Sequence, residues 1–200
     1  EPPAHSPAVS ILIDGQWQEF PSASAAEKAS YADFKAASHR NAQNFRITDD
    51  DLGAGGAKAK FQANLNAIQL LKHLEAEGLQ ASPEQQQVLS RYVGWGGLPD
   101  AFDASKPSWA SEYQELKAAL TPEEYTAARA STLNAHYTSP TVIRAIYEAV
   151  GNMGFQTGNI LEPSMGIGNF FGMLPENMRG SRLYGVELDS ITGRIAKQLY

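Results

Sequence analysis

Apolar and polar positions alternate with different periods along the chain, and the changes of period mark its parts. From Val9 to Phe20 two short apolar segments flank Asp14-Gly15, a dipeptide suited to a two-residue turn with positive φ. The pattern predicts a β-hairpin, with a solvent loop carrying chance apolar residues as the alternative. Residues 21–44 are rich in Ala and polar side chains, with Tyr31, Phe34 and Ala37 at helical spacing, and read as a helix or a semi-ordered linker.

A period of three to four then begins at Phe61 and runs through Leu65, Ile68, Leu71 and Leu74 to Gly78, the pattern of an amphipathic helix with a glycine stop. Ser82-Pro83-Glu84-Gln85 opens a second helix: Ser82 caps, Pro83 stands where its missing N–H is not needed, and Gln85 completes a capping box. Val88, Leu89 and Tyr92 are expected to face the core. Trp109, Tyr113, Leu116 and Leu120 mark a third helix, and Thr121-Pro122-Glu123-Glu124 is a capping box opening a fourth. Residues 57–132 therefore read as an all-helical layer.

Two loops in this region carry candidate chemistry. Asp49-Asp50-Asp51 resembles the start of a calcium loop, but the alternating oxygen ligands and the distant bidentate Glu are missing, so it reads as a solvated charge run. Around Trp95, Gly94, Gly96 and Gly97 permit a sharp turn. The indole is read as a core plug between helices in preference to a base-stacking or cofactor-covering side chain.

After Asn134 the pattern changes again. In "HYTSPTVIRAIYEAV", Ser139 caps, Pro140 takes the first helical position, and Val142, Ile143, Ile146, Tyr147 and Val150 share one face. A strand at 159–162, a glycine loop at 163–168, a short helix "NFFGML" stopped by Pro175, a strand at 182–187 and a helix from Asp189 onward then follow. Strand, loop, helix and strand make a βαβ unit, which implies an α/β fold with ligand at the carboxyl ends of parallel strands. The division expected is an upstream hairpin and linker over 1–43, a helical subdomain over 44–133, and an incomplete α/β domain over 134–200.

Composition limits the function. The 200 residues hold no cysteine, and four scattered histidines show no ligand spacing, so no metal site is expected. No apolar run approaches the roughly 20 residues of a membrane span, and no secretory segment opens the chain, so a soluble cytoplasmic protein without a membrane partner is the default. The formal net charge of −6 argues against bulk wrapping of nucleic acid, so any DNA contact is expected mainly outside these residues. The chain begins at Glu1 and stops at Tyr200 inside a helical pattern, and it is read as a fragment.

The loop "ILEPSMGIGNF" (160–170) narrows the ligand. No Lys-Ser or Lys-Thr follows its glycines, which excludes a phosphate-binding P-loop. The dinucleotide fingerprint is half met, because Gly166 and Gly168 fit but Phe171 holds the third position. Glu162 at the mouth would also repel a pyrophosphate, which disfavours a nucleotide-dependent oxidoreductase. A ligand with a cationic head suits the site better. S-adenosylmethionine carries a protonated amine and a sulfonium. It needs glycines for close approach, an acid at one strand end for the amine and an acid at the next for the ribose. Glu162 and Glu187 occupy those positions, with Glu187 21 residues after Gly166. The alternative is that the two acids merely cap strands or face solvent.

"ILEPSMGIGNF" resembles the E-P-S-x-G-x-G-x-F motif of adenine-specific DNA methyltransferases, and "HYTSP" resembles the segment that precedes it and closes over the methionine end. Together with "RYVGWGGLPDAFD", "ARASTLNAHYTSPTVIRAIYEA" and "LYGVELDSITGRIAKQLY", the run 44–200 is similar to the methyltransferase portion of the large methylase-helicase proteins of bacterial conjugative elements and phages. The resemblance implies a Rossmann-like S-adenosylmethionine-dependent fold, truncated after its second strand, in a protein that continues into a helicase. It assigns Tyr137 and Thr138 to the methionine end. Glu162, Pro163, Ser164, Gly166, Gly168 and Asn169 fall to the cofactor loop, Glu187 to the ribose and Asp189 to the neighbourhood of the adenine, with Phe170 packing under the loop.

One departure limits the resemblance. The family's catalytic tetrapeptide, Asn, Asp or Ser followed by Pro-Pro and an aromatic, is absent; the only Pro-Pro is Pro2-Pro3. The fragment alone is therefore expected to be inactive, and no catalytic residue is assigned. The expected function is the cofactor-binding part of a DNA adenine methyltransferase. The alternative is a methyltransferase-like platform without catalysis that binds DNA or a partner beside a helicase.

Overall fold

The computed structural model describes residues 9–13, 16–20, 44–49, 52–133 and 135–200. The Asp14-Gly15 turn, the expected helix or linker of 21–43, and Asp50 and Asp51 lie outside the described residues.

The architecture is mixed α and β. Strands β1 (Val9–Ile13) and β2 (Gln16–Phe20) form the expected antiparallel pair. Helices α1 (Ala57–Glu77), α2 (Pro83–Leu89), α3 (Ala110–Ala119) and α4 (Pro122–Ser131) build the helical layer. Then come α5 (Pro140–Asn152), β3 (Asn159–Glu162), the one-turn α6 (Asn169–Gly172), β4 (Arg182–Glu187) and α7 (Ser190–Leu199).

Local chemistry sets the helix ends. In both capping boxes the cap hydroxyl accepts an N–H three residues on, and the Gln85 or Glu124 side chain accepts the cap residue's own N–H. Gly78 ends α1 in the left-handed region at φ 64°, where a side chain would be strained. Each such cap contributes about 1 kcal/mol.

The strands form one sheet in the order β2-β1-β4-β3. β3 and β4 are parallel, as the βαβ pattern requires, with Ile160 opposite Leu183 and Glu162 opposite Gly185. The hairpin does not stand apart from this unit: Ser10–Ile13 pairs antiparallel with Tyr184–Glu187, satisfying backbone groups that an open β4 edge would leave unpaired.

One continuous core joins the helical layer to the α/β part, from Phe61, Leu65 and Trp95 through Met165 and Phe171 to Ile191 and Ile195. A smaller cluster of Ile143, Tyr147, Leu174 and Met178 lies under α5. Trp95 is 1% exposed and packs edge-on to Phe102 at 5.3 Å and to Tyr92 at 6.5 Å, the core-plug role expected of it. Two apolar faces are narrower than the sequence pattern implied. Val88 on α2 and Val142 and Ile146 on α5 are exposed, while Leu89, Ile143 and Tyr147 are buried and Val150 packs at the edge of the smaller cluster. Among the described residues no helix is long and apolar enough to cross a membrane.

Candidate functional site

The loop after β3 is held by three backbone devices. The Met165 N–H donates to Val186 O at 3.0 Å, extending the strand ladder by one bond, and the Gly168 N–H closes a turn onto Met165 O at 2.9 Å. The Glu187 carboxylate then spans two elements. Its Oε2 accepts from the Gly166 N–H at 2.9 Å and its Oε1 from the Asp189 N–H at 2.8 Å. One side chain thus fixes the glycine loop to the end of β4. Burial pushes its pKa up, the two N–H groups pull the other way, and the Asp189 charge adds to the rise.

Glu162 ends β3 half-buried, and among the described residues no group donates a hydrogen bond to it. Burial pushes its pKa above the usual carboxylate range. A carboxylate taken partly out of water without a partner is costly, and a cationic ligand would relieve that cost.

These two acids open into a cleft of about 240 Å³. Glu162, Ser164, Gly166 and Asn169 line it from the loop side. Glu187, Asp189 and Thr192 line it from β4 and the start of α7, and Tyr92, Gly94, Ser131, His136, Tyr137 and Thr138 from the helical side. Among the lining residues there are three carboxylates and no Lys or Arg. The cleft therefore focuses a negative potential that favours cations and opposes phosphates. No group of three or more Asp, Glu or His side chains placed to hold a metal ion occurs among the described residues.

Eight of the ten residues singled out in the sequence meet at this cleft; Pro163 and Gly168 do not line it. Gly168 has φ 87°, and a Cβ there would lie 2.5 Å from the Tyr200 ring, so its bareness serves packing against α7's end rather than ligand approach. Asp189 caps α7, its Oδ2 accepting from the Thr192 N–H (2.9 Å) and hydroxyl (2.5 Å), while it also faces the cleft. The aromatic beneath the loop is Phe171, 2% exposed and edge-on to Tyr200 at 5.9 Å, not the expected Phe170. Phe170 instead lines the cleft and lies against Tyr147, whose hydroxyl donates to Phe170 O at 2.8 Å.

Sequence reasoning missed Tyr92, Gly94 and Thr192. The Tyr92 and Tyr137 rings meet edge-on at 6.5 Å, and burial raises the pKa of both phenols, so they stay neutral. The only signal for Gly94 was the glycine-rich turn at Trp95. Thr192 lacked any signal beyond its place three residues after a helix cap.

Among curated proteins, the chain is 28% identical over 143 residues, 72% of its length, to Defense against restriction protein B of Escherichia phage P1. It spans 5% of that relative's length. No family model matches, and no solved structure matches.

Proposed function

We propose that the cleft binds S-adenosylmethionine and that the chain is the cofactor-binding part of a DNA adenine methyltransferase within a larger methylase-helicase protein. The observation that carries this reading is charge. Three carboxylates and no Lys or Arg line a cleft at the carboxyl ends of two parallel strands, beside a glycine turn. That arrangement suits an organic cation with hydroxyls better than a nucleotide phosphate. In this reading Glu162 takes the methionine amine. Glu187, whose oxygens keep lone pairs beyond the two N–H groups they hold, takes the ribose hydroxyls. Tyr137 and Thr138 cover the methionine end. The bound cofactor supplies an electrophilic methyl on sulfur; the residues of this chain bind and orient it.

The phage relative is named for defence against restriction, which accords with a role on DNA that adenine methylation would protect. With a net charge of −6, the chain leaves most DNA contact to other regions.

Isothermal titration of S-adenosylmethionine into the 200-residue chain tests the proposal. Saturable binding is expected, with Glu162→Gln weakening it roughly 10- to 100-fold through loss of one charge-assisted hydrogen bond. Absence of binding by the wild-type chain would overturn the cofactor assignment, and unchanged affinity in Glu162→Gln would remove the amine from Glu162.

A further inference from the structure

Asn64 is a polar residue in the middle of the apolar face of α1, and it is 0% exposed. Both polar ends of its amide are bonded to one turn of chain. Nδ2–H donates to Gly94 O at 2.5 Å, and Oδ1 accepts from the Val93 N–H at 2.8 Å. A buried amide satisfied at both ends specifies one backbone geometry, because any other leaves polar groups unpaired in the core. The geometry it holds is Gly94 in the left-handed region, at φ 68°.

Gly94 touches the site. A Cβ there would stand 2.8 Å from Cε2 of Tyr137, and a Cβ on Gly166, itself at φ 58°, would stand 2.9 Å from Cε1 on the ring's other edge. The Tyr137 ring is therefore gripped along both edges by two bare backbones, one from the helical layer and one from the glycine loop. The same turn is tied to the segment leading into Tyr137 by the Gly97 N–H, which donates to Thr132 O at 3.1 Å. From Gly166 the path continues through its N–H to Glu187.

We propose that Asn64 and Gly94 are positioning residues for the cofactor cleft. The helical layer sets the Tyr137 ring against the glycine loop, and the cleft is incomplete without it. This rests on the S-adenosylmethionine reading for its ligand, while the gripping of the ring is a property of the chain alone.

Two measurements on the 200-residue chain test it. In titrations with S-adenosylmethionine, Gly94→Ala should weaken binding roughly tenfold or more, since displacing one positioning group by about an ångström carries effects of that size. Asn64→Asp, similar in shape but unable to donate to Gly94 O, should weaken it several-fold. The double variant Gly94→Ala/Tyr137→Ala should bind no more weakly than Tyr137→Ala alone, because the glycine acts through the ring. Wild-type affinity in Gly94→Ala, or additive losses in the double variant, would overturn the proposal.

The second measurement needs no ligand. With 3,5-difluorotyrosine at position 137, a ring held on both edges gives two slowly exchanging ¹⁹F lines, one for each edge, which should coalesce in Asn64→Asp. A single averaged line in the otherwise wild-type chain would sink the positioning argument whatever the ligand does. Two lines without S-adenosylmethionine binding would sink the ligand reading and leave the positioning intact.

Discussion

Glu124 offers the sharpest test of how the helical layer is fastened to the cleft. Its carboxylate sits at the start of α4 and receives Lys72 from α1 at 2.6 Å and Arg194 from α7 at 2.7 Å; its Oε2 also accepts the Thr121 N–H at 2.9 Å. Arg194 in turn forks onto Glu75 of α1 at 2.7 and 2.6 Å. Burial alone would raise the Glu124 pKa, but the hydrogen bonds from Lys72 and Arg194 win and hold it down at about 2. A drop from the ordinary 4.5 to about 2, at about 1.4 kcal/mol per pH unit, sets a ceiling of about 3.5 kcal/mol. The Glu124 side chain is 10% exposed, yet Lys72 and Arg194 are 32% and 27% exposed, so water screens the network. Screening brings the expected contribution to about 1.5–2 kcal/mol.

Glu124→Gln should therefore lower the urea midpoint at pH 7 by about 0.7–1 M, taking a slope of about 2 kcal/mol per M for a chain of this size. The sign with pH is set by the depressed pKa. The contribution is fully present above the unfolded value near 4.5 and disappears as pH falls towards about 2. Wild-type and variant midpoints should thus converge in acid. Equal midpoints at pH 7, or a gap that persists unchanged at pH 2–3, would refute the account of the network.

Glu162 carries the opposite sign: its pKa is raised by burial, so the folded, unliganded chain gains stability when it is protonated. Glu162→Gln should raise the melting temperature at neutral pH, and the difference should shrink on acidification below the usual carboxylate range; a destabilised variant at pH 7 would show that a partner holds the charge. Asp189→Ala should cost about 1–2 kcal/mol in urea melts through loss of the α7 cap, while Asp189→Asn, also a good cap, should cost much less. Equal losses in the two would mean that the charge, not the cap, is what matters. Gly168→Ala should cost about 2–4 kcal/mol from its positive φ and the encounter with Tyr200, with partial relief in Gly168→Ala/Tyr200→Ala measured in the same way.

Much of this molecule is legible residue by residue. The capping boxes at Ser82 and Thr121, the glycine stop at Gly78, the strands before and after the loop, and the parallel pairing implied by strand, loop, helix and strand all appear where the pattern puts them. Eight of the ten residues singled out in the sequence also line one cleft; Glu162, Gly166 and Glu187 do so because they belong to a βαβ unit whose strand ends lie together. Residue type alone disfavours a phosphate there, since two acids lie beside the bare glycines.

Neighbouring residues of one motif were separated only by packing. Phe170 and Phe171 both precede Gly172, but consecutive helical positions point about 100° apart. Only contact with Gly185 and Tyr200 decides that Phe171 goes under the loop. Gly166 and Gly168 look alike in the motif, yet one faces the Tyr137 ring by the cleft and the other the Tyr200 ring in the core.

Caps and turns were determined by the sequence itself because their hydrogen bonds close within three or four residues, so the partners are read together. The tertiary structure alone decided that the hairpin borders β4, that Arg194 meets Glu75 across 119 residues, and that a buried Asn64 holds the turn against Tyr137. Those contacts depend on shape fitted between distant segments, and no local period or residue type encodes which distant surface a side chain will meet.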